Sequence, residues 1–323
     1  MAVDALLQPV VLFFLLGALA AFCRSDLVVP EAVAKGISLY LMMSIGLRGG
    51  GEVAETGFTH DMLLAGGAGL MLSFLLPLPT FWLLRRLGGL DRINAAAVAA
   101  HYGSVSVVTF ATGSEILRHA GMPAAGYMVA VLAVMETPAI ISGLLLARSG
   151  ASDNLAPRGG LLHETFLNGS VVLLLGSFLI GLVDGKTGLE PIAPVFDTLF
   201  RGMLCIFLLD MGLIAARRLM DRRALTLRTI VLALMLPLLN GSLGVVLGIE
   251  LGLSAGSAAA LGILAGSASY IAVPAVMRLA LPAADPGLYL GMSLAITFPF
   301  NLTIGIGYYA WLASRLFPVI APG

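Results

Sequence analysis

Hydrophobic residues run along this chain in long blocks, and the short stretches between them carry most of its charge. An α-helix needs about 20 mainly apolar residues to cross the hydrocarbon of a bilayer. Ten blocks of suitable length can be marked off, at 6–23, 30–48, 61–84, 93–118, 124–147, 164–183, 192–216, 228–249, 254–280 and 286–314. The pattern predicts an all-α polytopic membrane protein with ten transmembrane helices. The longest connections, 49–60 and 148–163, hold about a dozen residues each, too few for a soluble catalytic or ligand-sensing domain. The first block, Leu6 to Cys23, follows an acidic leader (Asp4) and has no A-x-A cleavage site behind it. It is expected to be a retained helix rather than a signal peptide.

Composition agrees with the pattern. Of 323 residues 59% are hydrophobic and 11% charged, with a mean hydropathy of +1.00, whereas a soluble domain carries roughly 25% charged residues. Lipid must therefore cover most of the exterior. A formal net charge of zero provides no basic field for nucleic acid. Cys23 and Cys205 lack CxxC spacing, so neither a disulfide framework nor a metal site is signalled.

The basic residues are distributed unevenly. One set of block ends collects Arg24, Arg85, Arg86, Arg92, Arg148, Arg158, Arg217, Arg218, Arg222, Arg223, Arg228 and Arg278, while the opposite set has Arg48, Arg118, Lys186 and Arg315. By the positive-inside rule the first set is cytoplasmic and both termini lie outside. In a Gram-negative bacterium that places the chain in the inner membrane with periplasmic termini.

The two halves align with each other. Gly36-ISLYLMMSI-Gly46-Leu47 matches Gly202-MLCIFLLDM-Gly212-Leu213 at an offset of 166, and Gly103-Ser-Val-Ser106 matches Gly266-Ser-Ala-Ser269 at 163. Glu136-Thr-Pro138 approaches Thr297-Phe-Pro299 at 161. Residues 1–150 then form a first repeat of five helices, 151–163 a cytoplasmic linker and 164–323 a second repeat. An odd number of spans inverts the second repeat, an arrangement typical of transporters with one central site.

The paired Gly-Ser motifs carry the candidate chemistry. Glycine admits unusual backbone angles, serine hydroxyls bond freed backbone groups, and Pro274 removes a further donor from the second copy. Broken backbone at membrane depth is tolerated only where it faces protein or a water-filled cavity. A half-helix starting at each break would present free N–H groups and a positive dipole end. Two such ends near the midplane, with Gly103, Ser104, Val105, Ser106, Gly266, Ser267, Ala268 and Ser269 around them, suit a small oxyanion. The alternative is a small-residue packing seam.

Glu136 sits within the apolar run YMVAVLAVMETPAII, where a bare carboxylate costs a few kcal/mol. Its expected partner is a cation, either Na+ or a proton, with Ser104, Ser106 and Thr137 as neighbours and Asn301 as the counterpart in the second half. The competing explanation is a protonated Glu136 bonded to a neighbouring helix. Arg201 and Asp210 are expected to snorkel or to pair between subunits, and His101 to be structural or a proton relay. An intramembrane enzyme is disfavoured, because the four histidines do not cluster and neither HExxH nor GxSxG occurs.

The segments at 27–50, YGSVSVVTF at 102–110, METPAI at 135–140 and SASYIAVPAVMRLALPAADPGLYLGMSLAITFPFN at 267–301 resemble the sodium-dependent bicarbonate transporters of the SbtA type. The resemblance covers nearly the whole chain. It implies core and gate domains, a homotrimer, and elevator-type symport of bicarbonate with Na+ as the coupling ion and no cofactor. It also implies bicarbonate at the two broken segments, with Na+ beside them at the position of Glu136, where the family pattern has Asp. Cyanobacterial members are inhibited by a PII-like protein on the cytoplasmic face, although the central loop from Ser149 to Leu162 is short and weakly charged here. A symporter of another small anion, such as a short carboxylate, would use the same frame.

Overall fold

The computed structural model describes residues 8–148, 169–220 and 225–320. The 151–163 linker lies outside them. Among the described residues the chain is helical throughout, without strands. The helices are α1 (Pro9–Phe22), α2 (Glu31–Thr56), α3 (His60–Leu75), α4 (Pro77–Arg86), α5 (Arg92–Gly103), α6 (Val107–His119), α7 (Met128–Glu136) and α8 (Pro138–Arg148). After the linker come α9 (Gly169–Leu189), α10 (Phe200–Met220), α11 (Leu227–Glu250), α12 (Ala255–Ala265) and α13 (Ala272–Ala280). The last column runs from α14 (Pro286–Leu290) to α15 (Ile306–Ile320) through wide turns at Gly291–Thr297 and Asn301–Gly305. Among the described residues seven helical stretches are long and apolar enough to cross a membrane. Pro9–Phe22 and Ala255–Ala265 are apolar but shorter.

Polar residues start these helices where the sequence changes character. Thr59, Asp91, Thr226 and Ser254 accept backbone N–H groups at the N-termini of α3, α5, α11 and α12, which satisfies donors that have no partner within a helix. Prolines interrupt the columns. Pro77 separates α3 from α4 and Pro138 separates α7 from α8, because a proline cannot bond the carbonyl four residues back.

The expected connection at 49–60 is corrected by α2, which continues through Gly49, Gly50 and Gly51 to Thr56. Glycine runs ordinarily loosen helices. Here the missing side chains allow α2 and α9 to meet backbone to backbone: a Cβ on Gly50 would collide with the Phe178 carbonyl, and one on Gly181 with the Leu47 carbonyl. The pair α1 and α10 repeats the arrangement, with Gly17 against Leu209 and Gly212 against Phe14. Close contacts of this kind are how helices associate in lipid, where no hydrophobic effect drives them together. Gly50→Leu should therefore destabilise the protein by about 1–3 kcal/mol through overpacking. Thermal unfolding in detergent reads this, and an unchanged transition would show that the crossing is not tight.

The remaining helices pack as α3 on α7, α5 on α4 and α8, α11 on α12, and α12 on α15. Charged and polar residues gather at two opposite ends. At one, Arg217 donates to the Leu27 carbonyl, Arg92 to the Leu146 carbonyl, and the Asp285 N–H to Asn94. At the other, Arg201 reaches Gln8 and His119, and Arg48 reaches Asp197. These are the two groups of block ends that the arginine count separated. Arg201 thus has partners within its own chain, which the sequence had not assigned.

Candidate functional site

α5 stops at Gly103 and α6 restarts at Val107, with Ser104 and Ser106 in extended conformation between them. Ser106 caps the new helix by accepting the Thr109 N–H at 3.1 Å. Among the described residues, no protein acceptor takes the N–H of Val107 or Val108. The second break lies between α12 and α13, where residues 267–270 leave the helical path and Ser269 accepts the Val273 N–H at 3.3 Å. Each break thus turns a span into two half-helices whose second member begins with serine-capped, partly free N–H groups.

The two breaks touch. The Ser106 N–H donates to Ser267 Oγ at 3.0 Å, and Ser267 Oγ donates to the Leu264 carbonyl at 2.8 Å. The Ser269 N–H donates to the His101 carbonyl at 2.9 Å. All four serines are buried. These bonds use backbone groups that the broken helices release, so each break stabilises the other.

Surrounding side chains take up the other freed groups. Ser104 Oγ donates to the Glu136 carbonyl at 3.0 Å, while Ser73 Oγ donates to the Met135 carbonyl and accepts the Ala139 N–H. These bonds bridge the gap at Pro138. In the other half Pro237 cannot bond the Ala233 carbonyl, which accepts the Thr297 hydroxyl at 2.6 Å. Asn301 donates to the Gly266 carbonyl at 2.8 Å and accepts from Tyr309. Gly103 and Gly266 have no room for a Cβ, the first against Pro77 and the second against Tyr309.

A cavity of about 10 Å³ opens where the half-helices meet, close to the room one water requires. Its lining includes Val105, Ser106 and Val107 from the first break and Ser269, Tyr270, Ile271 and Ala272 from the second. Met42 of α2 and Glu136 complete it. Glu136 is 4% exposed, and among the described residues no basic side chain pairs with it. One wall therefore offers helix N-termini and hydroxyls, and another offers a carboxylate. The first is suited to an anion and the second, when ionised, to a cation.

The structure brings Val105, Ser106, Ser269 and Glu136 to one cavity. Ser104, Ser267, Gly103 and Gly266 instead build the crossing behind it, Ala268 is buried within the second break, and Thr137 follows Glu136 at the α7 terminus. Asn301 faces the Gly266 carbonyl rather than the cavity. Sequence reasoning missed Tyr270 and Met42. Tyr270 directly follows the GSAS motif, a signal that could have identified it, whereas nothing in the α2 sequence distinguishes Met42 from its apolar neighbours. His101 contributes its carbonyl to the crossing and stacks its ring on Tyr289 at 4.5 Å. Among the described residues no three His, Cys, Asp or Glu side chains converge, so a cation beside Glu136 would draw its other ligands from hydroxyl and carbonyl oxygens, the donor set that suits hard cations.

No curated protein matches the chain at a significant level. A family model for the Na+-dependent bicarbonate transporter superfamily matches residues 9–314, a stretch that contains both breaks, Glu136 and every helix crossing described above. The chain thus belongs to the Na+-dependent bicarbonate transporter superfamily.

Proposed function

We propose that this protein imports bicarbonate by symport with Na+, binding both at the crossing of its broken helices and moving them by elevator-type alternating access. The observation that carries the proposal is the joint lining of one buried cavity by both half-helix starts and Glu136. An anion entering a negative-inside cell moves against the potential, at about 2.3 kcal/mol per charge for 100 mV. A co-bound Na+ cancels that charge and adds its own gradient. Glu136 would hold the cation, and Ser106, Ser269 and the α6 and α13 N-termini the anion.

Ten spans in two inverted repeats account for the packing pairs. Under such symmetry the α1–α10 pair corresponds to α9–α2, and α3 with α7 corresponds to α11 with the last column. The glycine contacts follow the same rule and sharpen the alignment. Gly212 meets Phe14 and Ala18 as Gly50 meets Phe178 and Leu182, and Gly17 meets Leu209 and Leu213 as Gly181 meets Leu47 and Gly51. Gly50, not Gly46, is then the partner of Gly212, at an offset of 162. That is one helical turn from the offset read in the sequence, and it agrees better with the offsets of the two breaks. The group α1, α2, α9 and α10 would be the gate and the remaining helices the core. The family resemblance adds a homotrimer in the inner membrane, periplasmic termini and a PII-like regulator to this reading.

Uptake of labelled bicarbonate into proteoliposomes, with and without an inward Na+ gradient, tests the proposal. Accumulation should require Na+ and resist competition by formate, acetate and nitrate. Equal uptake under a proton gradient alone would replace the coupling ion, and strong competition by a short carboxylate would replace the substrate.

A further inference from the structure

Two larger cavities continue outward from the buried one along the same pair of helices. A chamber of about 130 Å³ is bounded by Ile45, Arg48 and Glu52 of α2 and by Phe110, Ser114 and Arg118 of α6. A cleft of about 490 Å³ then shares Arg48, Glu52 and Arg118 with it and adds Lys186 and Asp197. On α2 the lining advances from Met42 through Ile45 to Arg48 and Glu52, and on α6 from Val107 through Phe110 and Ser114 to Arg118. The three cavities therefore succeed one another between the crossing and the end of the molecule where Arg48, Lys186 and Asp197 lie.

The middle chamber balances its formal charges, but it does not balance its hydrogen bonds. Glu115, 3% exposed, receives three hydrogen bonds from Arg118 at 2.9–3.3 Å. His119 and Arg201 add contacts at 3.4 and 3.5 Å. Glu52 is set against the Gly126 N–H. Its carboxylates are thus satisfied. Arg48 is held rigidly, with one nitrogen on the Asp197 carbonyl and carboxylate at 2.6 Å and its guanidinium 4.4 Å from the Phe200 ring centre. Among the described residues, however, its Nε is buried without an acceptor and Ser114 Oγ is buried without a partner. A buried donor without an acceptor costs about 1–3 kcal/mol. Arg48 Nε can only donate and the Ser114 hydroxyl can donate as well as accept, so a ligand that satisfies both is an acceptor.

We propose that the Arg48–Ser114 chamber is a relay site for a small oxyanion on the entry route to the crossing. It rests on the transport reading above and names a second, outer station for the same substrate. Its position explains why Arg48 is pinned by Asp197 and Phe200: an arginine already held in place loses little freedom when an anion arrives.

Proteoliposome uptake and a labelling assay test it together. Arg48→Gln should raise the external KM for bicarbonate by about tenfold, the loss of one hydrogen bond to a charged group, with the maximal rate within about twofold. Arg48→Lys should recover part of the KM, and Ser114→Ala, a mild change, should raise it by about threefold. Wild-type KM in Arg48→Gln and Ser114→Ala, beside Na+-driven uptake by the parent protein, would overturn the relay site and leave the transport reading intact. Absence of uptake by the parent would overturn the transport reading, and the chamber is then read directly. With Cys23 and Cys205 replaced, bicarbonate should slow labelling of Ser114→Cys by a water-soluble thiol reagent, and Arg48→Gln should abolish the protection. Labelling indifferent to bicarbonate overturns the site whatever the transport result.

Discussion

Replacing Glu136 by Ala or Gln should abolish Na+-dependent uptake while the protein remains folded. The carboxyl group is buried in a helical stretch long and apolar enough to cross a membrane, without a basic partner among the described residues. Such a group costs a few kcal/mol to keep, so removing it should not weaken the fold, and Gln preserves its shape. A cation ligand has the opposite balance. Losing the carboxylate that lines the cavity should lower coupled transport by about a hundredfold or more, which corresponds to about 2.7 kcal/mol. Uptake across a Na+ gradient, read beside the melting temperature of the same preparations, separates the two effects. Undiminished transport in Glu136→Gln would remove Glu136 from the coupling role, and loss of transport together with a collapsed melting transition would make its role structural.

The second large effect is expected at Ser267. Its hydroxyl accepts the Ser106 N–H and donates to the Leu264 carbonyl, so it bonds one broken helix to the other. Ser267→Ala leaves the Ser106 N–H buried and unpaired, at about 1–3 kcal/mol, while the Leu264 carbonyl keeps the Ser267 backbone N–H. An anion held between two helix ends loses part of its donor set when either end moves. Bicarbonate affinity should fall by about tenfold or more in Ser267→Ala, and Ser267→Leu should abolish binding by forcing the crossing apart. A Ser104→Leu variant should act similarly, through the Glu136 carbonyl that Ser104 holds. Substrate affinity measured on the purified variants decides this, and normal affinity in both leucine variants would place the anion elsewhere.

The helical, membrane-embedded character was legible in the sequence because lipid imposes a simple demand: each crossing requires an uninterrupted apolar block with its hydrogen bonds satisfied internally. The breaks were legible for the converse reason, since GSVS and GSAS place small, hydroxyl-bearing residues where a helix has no local need for them. Glu136 declared itself by its cost. Register was harder to read. Gly46 and Gly50 are equivalent by local pattern, and only their contacts with Leu174, Phe178 and Leu182 distinguish them. The length of α2 was misjudged likewise, because Gly49 to Gly51 resembles a helix end until α9 is packed against it.

Within the motifs, residue types that a sequence treats alike have separate tasks. Ser106 and Ser269 face the cavity, while Ser104 and Ser267 tie the crossing together. Asn301 and Ser73 bind carbonyls that helix breaks have freed in other segments. Local composition thus pointed to the apolar helices, to the two breaks and to a buried carboxyl group, since those properties depend on neighbours a few residues away. The assignment of partners to each freed N–H and carbonyl, the entry of Tyr270 and Met42 into the cavity, and the succession of chambers toward Arg48 depended on the tertiary structure. They arise from groups far apart along the chain, 161 residues for Ser106 and Ser267, whose approach is determined by helix packing rather than by any local sequence pattern.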